Sequence, residues 1–251
     1  METDLAIPSQ ARLKKWARLT DSKFRREEGL FTAEGIKVVE ELLSSQWQVS
    51  AILLLAEKIK YQEKIISKIP ADIPRYELSR SQWQKIGQDK EPEGVMALVA
   101  MLPEPSFTDF LNSAAGNILI LHEINNPGNL GAIMRSALWF DFTTIILSAG
   151  CVEYTNPKVV RTSMGSLFHL NIISDVHLET KLPEIKRSHY LVGSNVYQGA
   201  SPHLPERRTA LLLGSESHGL PDSLLAMVDE HWNIPGSGKI DSLSLPQAAA
   251  I

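Results

Sequence analysis

Four runs in the second half of the chain, Asn117–His122, Thr143–Leu147, Tyr190–Ser194 and Thr209–Gly214, have the length of strands and are continuously apolar instead of alternating. A strand with one wet face alternates, whereas a continuous run needs cover on both faces. That requirement points to a parallel sheet with helices on either side. Helical patterns at Gly131–Phe140, Lys181–Lys186 and Asp222–Val228 supply the cover. Ligands of such sheets bind beyond the carboxyl ends of the strands. Three glycine-containing turns, 126–131, 214–219 and 235–238, follow strands or strand-like runs and are the first places to look for a site.

The first part also alternates. Leu30–Ala33, Ala51–Leu55 and Val95–Met101 read as strands, Ile36–Leu43 and Glu57–Ile69 as helices, and Ser79 as the cap of a helix through Ile86. Leu102-Pro-Glu-Pro-Ser106 interrupts the pattern with two prolines, a linker signal. The expected organisation is two α/β domains, residues 1–105 and 106–251.

Composition narrows the class. The chain of 251 residues carries a net charge of −4, which argues against an indiscriminate nucleic-acid coat. Its cations are concentrated, however. Arg12, Lys14, Lys15, Arg18, Lys23, Arg25 and Arg26 stand against Asp21 alone between residues 10 and 26. This is either a phosphate-contacting arm or a solvated helix face. The single cysteine, Cys151, can form no internal disulfide and reads as a small packed residue, which fits a reducing cytoplasm. The polar, then basic N-terminus lacks the apolar stretch of a secretory leader, and no apolar run has the length to span a bilayer. The seven histidines show no metal-ligand spacing, so no metal is expected.

Asn126-Pro-Gly-Asn-Leu-Gly-Ala-Ile-Met-Arg-Ser-Ala137 is a glycine-rich turn running into an apolar helix. Glycines let backbone amides approach a ligand, and the helix start favours an anion. Arg135 is expected to face the same mouth as Asn129. Several familiar motifs fail nearby. Pro235-Gly-Ser-Gly-Lys239 lacks both the first glycine and the final Ser or Thr of a P-loop. Ser215-Glu-Ser-His-Gly219 lacks the first glycine of a hydrolase elbow, and Gly128-Asn-Leu-Gly131 lacks the three-glycine dinucleotide fingerprint.

Three segments in order resemble the SpoU/TrmH-type RNA 2′-O-ribose methyltransferases of the SPOUT superfamily. They are Asn129-Leu-Gly-Ala-Ile-Met-Arg135, Leu213-Gly-Ser-Glu-Ser-His-Gly-Leu-Pro221, and Ile234-Pro-Gly-Ser-Gly with Asp241-Ser-Leu243 and the small-residue helix Ala248–Ile251. Asn156-Pro-Lys-Val-Val-Arg-Thr-Ser-Met-Gly165 is similar to an internal segment of the family, and Lys23–Leu42 to its accessory RNA-binding domain. The resemblance implies a C-terminal α/β knot with a largely parallel sheet and a deep trefoil knot. It also implies an N-terminal L30e-like α/β domain that docks RNA, S-adenosylmethionine as cofactor, and a cytoplasmic homodimer sharing its active sites. The implied reaction is methyl transfer to a ribose 2′-hydroxyl in ribosomal or transfer RNA.

The resemblance also assigns residues. Arg135 matches the catalytic arginine, and its chemistry favours clamping phosphate or stabilising alkoxide charge over acting as a base, because guanidinium stays protonated. Asn129 would orient that arginine or the ribose. Glu216 would hold the arginine or reach the RNA, its bland reading being a cap for the helix at 221. Ser242 matches the third motif, and Ser244 stands where the family usually has Asn, which leaves one hydrogen-bonding arm instead of two. Gly193, Gly214, Ile234, Gly236 and Leu243 would line the cofactor, and Lys23, Arg25, Arg26 and Arg161 would meet RNA. S-adenosylmethionine carries no phosphate, so the anion expected at the helix start is the RNA backbone. Ser244-Leu-Pro-Gln247 departs from the family pattern and the chain ends at Ile251 within the terminal helix. The departure keeps open a catalytically silent RNA-binding relative.

Overall fold

The computed structural model describes residues 5–203, 206–237, 239–240 and 242–251. Gly238 and Asp241 of the third motif lie outside the described residues. The chain folds into two compact units. One joins the stretch up to Pro103 with Glu153–Phe168; the other joins Glu104–Val152 with His169–Ile251. The first unit is therefore discontinuous in sequence.

That unit holds a four-stranded sheet of β1 (Leu30–Glu34), β2 (Val49–Leu55), β3 (Arg75–Leu78) and β4 (Val95–Ala100), in the order β1-β4-β2-β3. β4 runs antiparallel to both neighbours and β2 runs parallel to β3. The basic stretch forms two helices. Ser9 caps Gln10–Ala17, which turns Leu13 and Trp16 into the core, and Trp16 meets Tyr76 edge-on at 5.2 Å. Asp21 caps Ser22–Glu28, which ends on Gly29 at φ +60°, a left-handed turn that glycine adopts without strain. The returning segment packs its helix Pro157–Thr162 on β1, and Phe168 meets Trp47, which meets Phe31, at 5.8 and 5.7 Å.

Two expectations change here. Glu57–Ile69 is not one helix but a 3-10 segment, Ala56–Tyr61, and a short α-helix, Glu63–Ile66. The break is Gln62, which is buried and donates from Nε2 to the Glu93 carbonyl at 2.5 Å. Ser79 does cap, with Gln82 completing a capping box, but the α-helix ends at Trp83 and continues to Ile86 only as turns.

The second unit holds a six-stranded, wholly parallel sheet: β5 (Ile118–Leu121), β6 (Thr144–Ser148), β7 (Asn171–Val176), β8 (Tyr190–Ser194), β9 (Thr209–Leu213) and β10 (Glu230–Trp232), in the order β10-β8-β9-β5-β6-β7. The four continuous apolar runs are its four inner strands. Ile120, Ile146, Leu191 and Leu212 are fully buried between helices. The order places the carboxyl ends of β9 and β5 side by side, with Leu121 opposite Leu213. That junction carries the site.

Candidate active site

A cleft of about 280 Å³ opens at this carboxyl edge. Glu123, Ile124, Asn125, Asn126 and Asn129 form one wall, Ser215, Glu216 and Ser217 the other, and Leu245 closes it.

The first wall is a strained loop held from behind. Glu123 has φ +52°, a left-handed conformation that costs a non-glycine residue free energy and persists only where neighbours enforce it. The Glu123 amide donates to Ser148 Oγ at 2.9 Å, the Ile124 amide to Cys151 Sγ at 3.3 Å, and the Val152 amide to the Ile124 carbonyl at 2.9 Å. The Cys151 thiol donates in turn to the Leu121 carbonyl at 3.3 Å. Burial pushes that thiol's pKa up, so Cys151 stays a neutral hydrogen-bonding pin.

Asn126 then caps the helix Pro127–Trp139. Its Oδ1 accepts from the amides of Gly128 and Asn129 at 2.8 and 3.4 Å, and Pro127 fits the first helical position, where no amide is needed. This corrects the expected anion cradle. The protein's own carboxamide takes the first amides, and among the described residues the cleft is lined by two carboxylates and no Lys or Arg.

The second wall depends on Gly214. A Cβ there would collide with the Gly219 carbonyl and the Leu220 amide, because the turn 215–219 folds back onto it. The Gly219 amide closes that turn on the Ser215 carbonyl at 2.9 Å. The turn thereby presents Glu216, whose Oε2 accepts from Asn129 Nδ2 at 2.7 Å. The pair joins residues 87 positions apart across the cleft. Glu216 is not a helix cap; Pro221 precedes Asp222–Leu225 with no side-chain cap bond. Ser217 Oγ lies 2.9 Å from His218 Nδ1, both exposed, and among the described residues no carboxylate is bonded to His218 as a hydrolase triad would need.

Arg135 departs from expectation. It is exposed, does not line the cleft, and makes no ion pair or hydrogen bond among the described residues. Six residues at about 100° each carry it roughly 240° around the helix from Asn129, so the two cannot share one face. Asn129 accordingly bonds Glu216 and not Arg135. Ser244 precedes the short helix Leu245–Ala248, and its hydroxyl donates to Gln247 Oε1 at 2.9 Å; Pro246 sits in the first turn. That helix packs on Pro127–Trp139. Ser242 and Leu243 are exposed, Ile234 is half-buried and Gly236 is open. Gly193 lies inside β8, where a Cβ would press on Val228 at 3.1 Å, so packing already accounts for it.

The RNA candidates in the first unit divide. Lys23 is exposed and 3.9 Å from Glu27. Arg26 is exposed and pairs with Glu153 at 2.6 Å, and Arg161 pairs with Asp89. Arg25 is 2% exposed, bonded to the carbonyls of Leu19 and Thr20 and to Glu153. It has no face to offer RNA, because folding has already desolvated and paired it. Glu123 and Ser148 were not singled out from the sequence, and Asn126 and Leu245 stood there only within longer motifs, with no site role of their own. Only Asn126-Pro127, a cap followed by a first-turn proline, carried a local signal.

The model of the SpoU rRNA Methylase family matches residues 116–251, and that of the MRM3-like substrate binding domain matches residues 10–97. The 23S rRNA (guanosine(2553)-2′-O)-methyltransferase RlmP of Bacillus subtilis is 28% identical over 96% of this chain and 93% of its own length. A solved structure of a TrmH-family protein from Porphyromonas gingivalis superposes with a TM-score of 0.82 at 28% identity, covering 98% of this chain and 96% of that one. The SpoU methyltransferase AviRb from Streptomyces viridochromogenes, solved with AdoMet, shares the fold with a TM-score of 0.84 at 23% identity, over 96% and 95% of the two chains. With more than half its length matched, including both walls of the cleft, the chain belongs to the SpoU rRNA methylase family.

Proposed function

We propose that this protein is an S-adenosylmethionine-dependent methyltransferase that modifies a ribose 2′-hydroxyl in structured RNA. The Asn129–Glu216 pair carries this reading, since it joins two of the family's motifs in one cleft at the carboxyl edge of the parallel sheet. The near full-length relative named for 2′-O-methylation of 23S rRNA makes ribosomal RNA the first substrate to try, ahead of transfer RNA.

The residues present fit the cofactor. Ile234 and Leu243 leave apolar surface accessible, and the amides of Ile234, Gly236, Ser242 and Leu243 make no hydrogen bond among the described residues. Apolar surface with backbone donors in the same segments suits an adenosine and a thioether. S-adenosylmethionine, when bound, supplies an electrophilic methyl group. Glu216 keeps one oxygen on Asn129 and has the other available to accept a hydrogen bond from the ribose hydroxyl, aligning a poor nucleophile. Arg135, permanently cationic, stabilises alkoxide charge or holds a phosphate.

The protein acts as a cytoplasmic homodimer whose C-terminal segment forms the family's trefoil knot, with the L30e-like first domain docking RNA. Arg135 supports the shared site, because its helix turns it away from its own chain's cleft. Exposed Trp139, Phe140 and Ile251, at the ends of two helices that pack together, supply apolar surface for a second copy. Single-turnover transfer from labelled S-adenosylmethionine to 23S rRNA lacking the modification, followed by mapping of 2′-O-methyl positions, is the test. Cofactor binding with no transfer to ribosomal or transfer RNA would establish the catalytically silent alternative.

A further inference from the structure

Tyr197 is 93% exposed, more than any other large apolar side chain described. A tyrosine on a loose loop would call for no explanation, but this loop is fixed. The Asn195 amide donates to the Trp232 carbonyl at 2.8 Å, the Ala200 amide to the His231 carbonyl at 2.9 Å, and Asn233 donates through its amide to the Ala200 carbonyl and through Nδ2 to the Asn195 carbonyl, both at 2.9 Å. Asn195 Oδ1 accepts from the Tyr197 amide at 2.9 Å and the Gln198 amide at 3.3 Å. Gly199, at φ +141°, lies so close to the end of β10 that a Cβ would strike the His231 carbonyl. Segment 195–200 is thus held in register against β10 while its tip, Val196–Tyr197, stands in solvent.

The location is informative. The sheet is parallel, so this loop leaves β8 from the same edge as the two walls of the cleft. β8 pairs with β9, and β9 with β5. Two strand spacings of about 4.8 Å put the root of the loop roughly 10 Å from the root of loop 122–126. The cleft there carries Glu123 and Glu216 and, among the described residues, no lining cation. Within its own chain, the described lining of that cleft therefore offers an RNA phosphate no cationic side chain. An aromatic face can hold a base without charge, and unpaired bases are the part of RNA that proteins stack on.

We propose that Tyr197 is the stacking platform for an unpaired base beside the ribose to be methylated, and so a specificity-determining residue. The proposal rests on the RNA methyltransferase reading. Its test measures RNA affinity as well as turnover, using deproteinised 23S rRNA from cells lacking the gene as probe and the variants Tyr197→Ala, Tyr197→Phe and Tyr197→Trp. Tyr197→Ala is expected to weaken RNA binding and raise KM for RNA about 5- to 100-fold, the range of one lost base stack. Its affinity for S-adenosylmethionine and its melting temperature stay unchanged, and the Phe and Trp variants retain near wild-type values. RNA affinity of Tyr197→Ala within about twofold of wild type overturns the proposal. So does a Tyr197→Phe variant as weak as Tyr197→Ala, since the hydroxyl would then be the contact, and so does lost cofactor affinity, since the ring would then belong to that slot. A wild-type protein that binds RNA without methylating it fails the methyltransferase reading instead, and the binding measurement still decides on Tyr197.

Discussion

The basic stretch of residues 10–28 and the helix start at 126–135 both read in the sequence as places to meet RNA, yet folding treats their charges in opposite ways. In the first, cations are plentiful and mostly engaged. Arg25 is buried on two carbonyls and Glu153, Arg26 takes the other oxygen of that carboxylate, Lys15 pairs with Glu28, Arg12 lies against Tyr76, and Arg18 sits 3.3 Å above the Phe24 ring. In the second, one cation is present, and it is exposed without a partner among the described residues. The number of charges in a sequence segment measures supply. What a ligand meets is the remainder after folding, and a distant acid such as Glu153 removes charge that no local count can subtract.

The largest test of that contrast is Arg25→Ala. It leaves the Glu153 carboxylate and two carbonyls without their buried donor, and removing one partner of a buried pair costs about 3–5 kcal/mol. Urea unfolding should show a loss of that size, and a loss below about 1 kcal/mol would mean that Arg25 is not an internal brace. Arg135→Ala should do the reverse. Deleting a charge that stabilises developing oxyanion character lowers transfer about 10²–10³-fold, while an exposed, unpaired side chain contributes within about 0.5 kcal/mol to stability. A variant that keeps wild-type turnover, or melts much lower, would break the contrast from the other side.

The inner strands β5, β6, β8 and β9 were legible because burial on both faces leaves a continuous apolar signature. The edges were not. β7 carries Asn171, Ser174 and Asp175, and β10 is the half-exposed Glu230-His231-Trp232. An edge strand gains its identity from one neighbour and keeps polar residues that read as loop. Helix Ile36–Leu43 was legible to the residue from its apolar spacing, whereas 57–69 broke on one buried glutamine bond that has no local signal. In the site, Asn129 and Glu216 were each legible, but their bond was not, because it depends on β9 lying beside β5. The orientation of Arg135 could have been derived from helical geometry alone.

Asn129→Ala sharpens the contrast at intermediate size. It removes the donor to Glu216, an exposed hydrogen bond to a carboxylate. A bond of about 1.5 kcal/mol, the lower end for charged acceptors, corresponds to roughly a tenfold fall in single-turnover rate. Stability should hardly change. Asn129→Asp should be worse than Asn129→Ala, because it sets a second carboxylate against Glu216 and repels it. Equal rates for the two variants would show that the pair does not position Glu216.

The smallest effect should come from Arg26→Ala, the most direct comparison within one ion pair. Arg26 and Arg25 share Glu153, but the Arg26 side chain is 68% exposed where that of Arg25 is 2% exposed. Exposed pairs contribute about 0.2–1 kcal/mol, and salt screens them. At about 1 M salt the screening length falls to roughly 3 Å, so the stability difference between wild type and Arg26→Ala should vanish there. That of Arg25→Ala should persist, since the Arg25 side chain and its bond to the Leu19 carbonyl are buried away from salt. A salt-resistant loss in Arg26→Ala would instead make the doublet a single unit, and Arg26 would then have no charge to lend to RNA without loosening the helix that carries it.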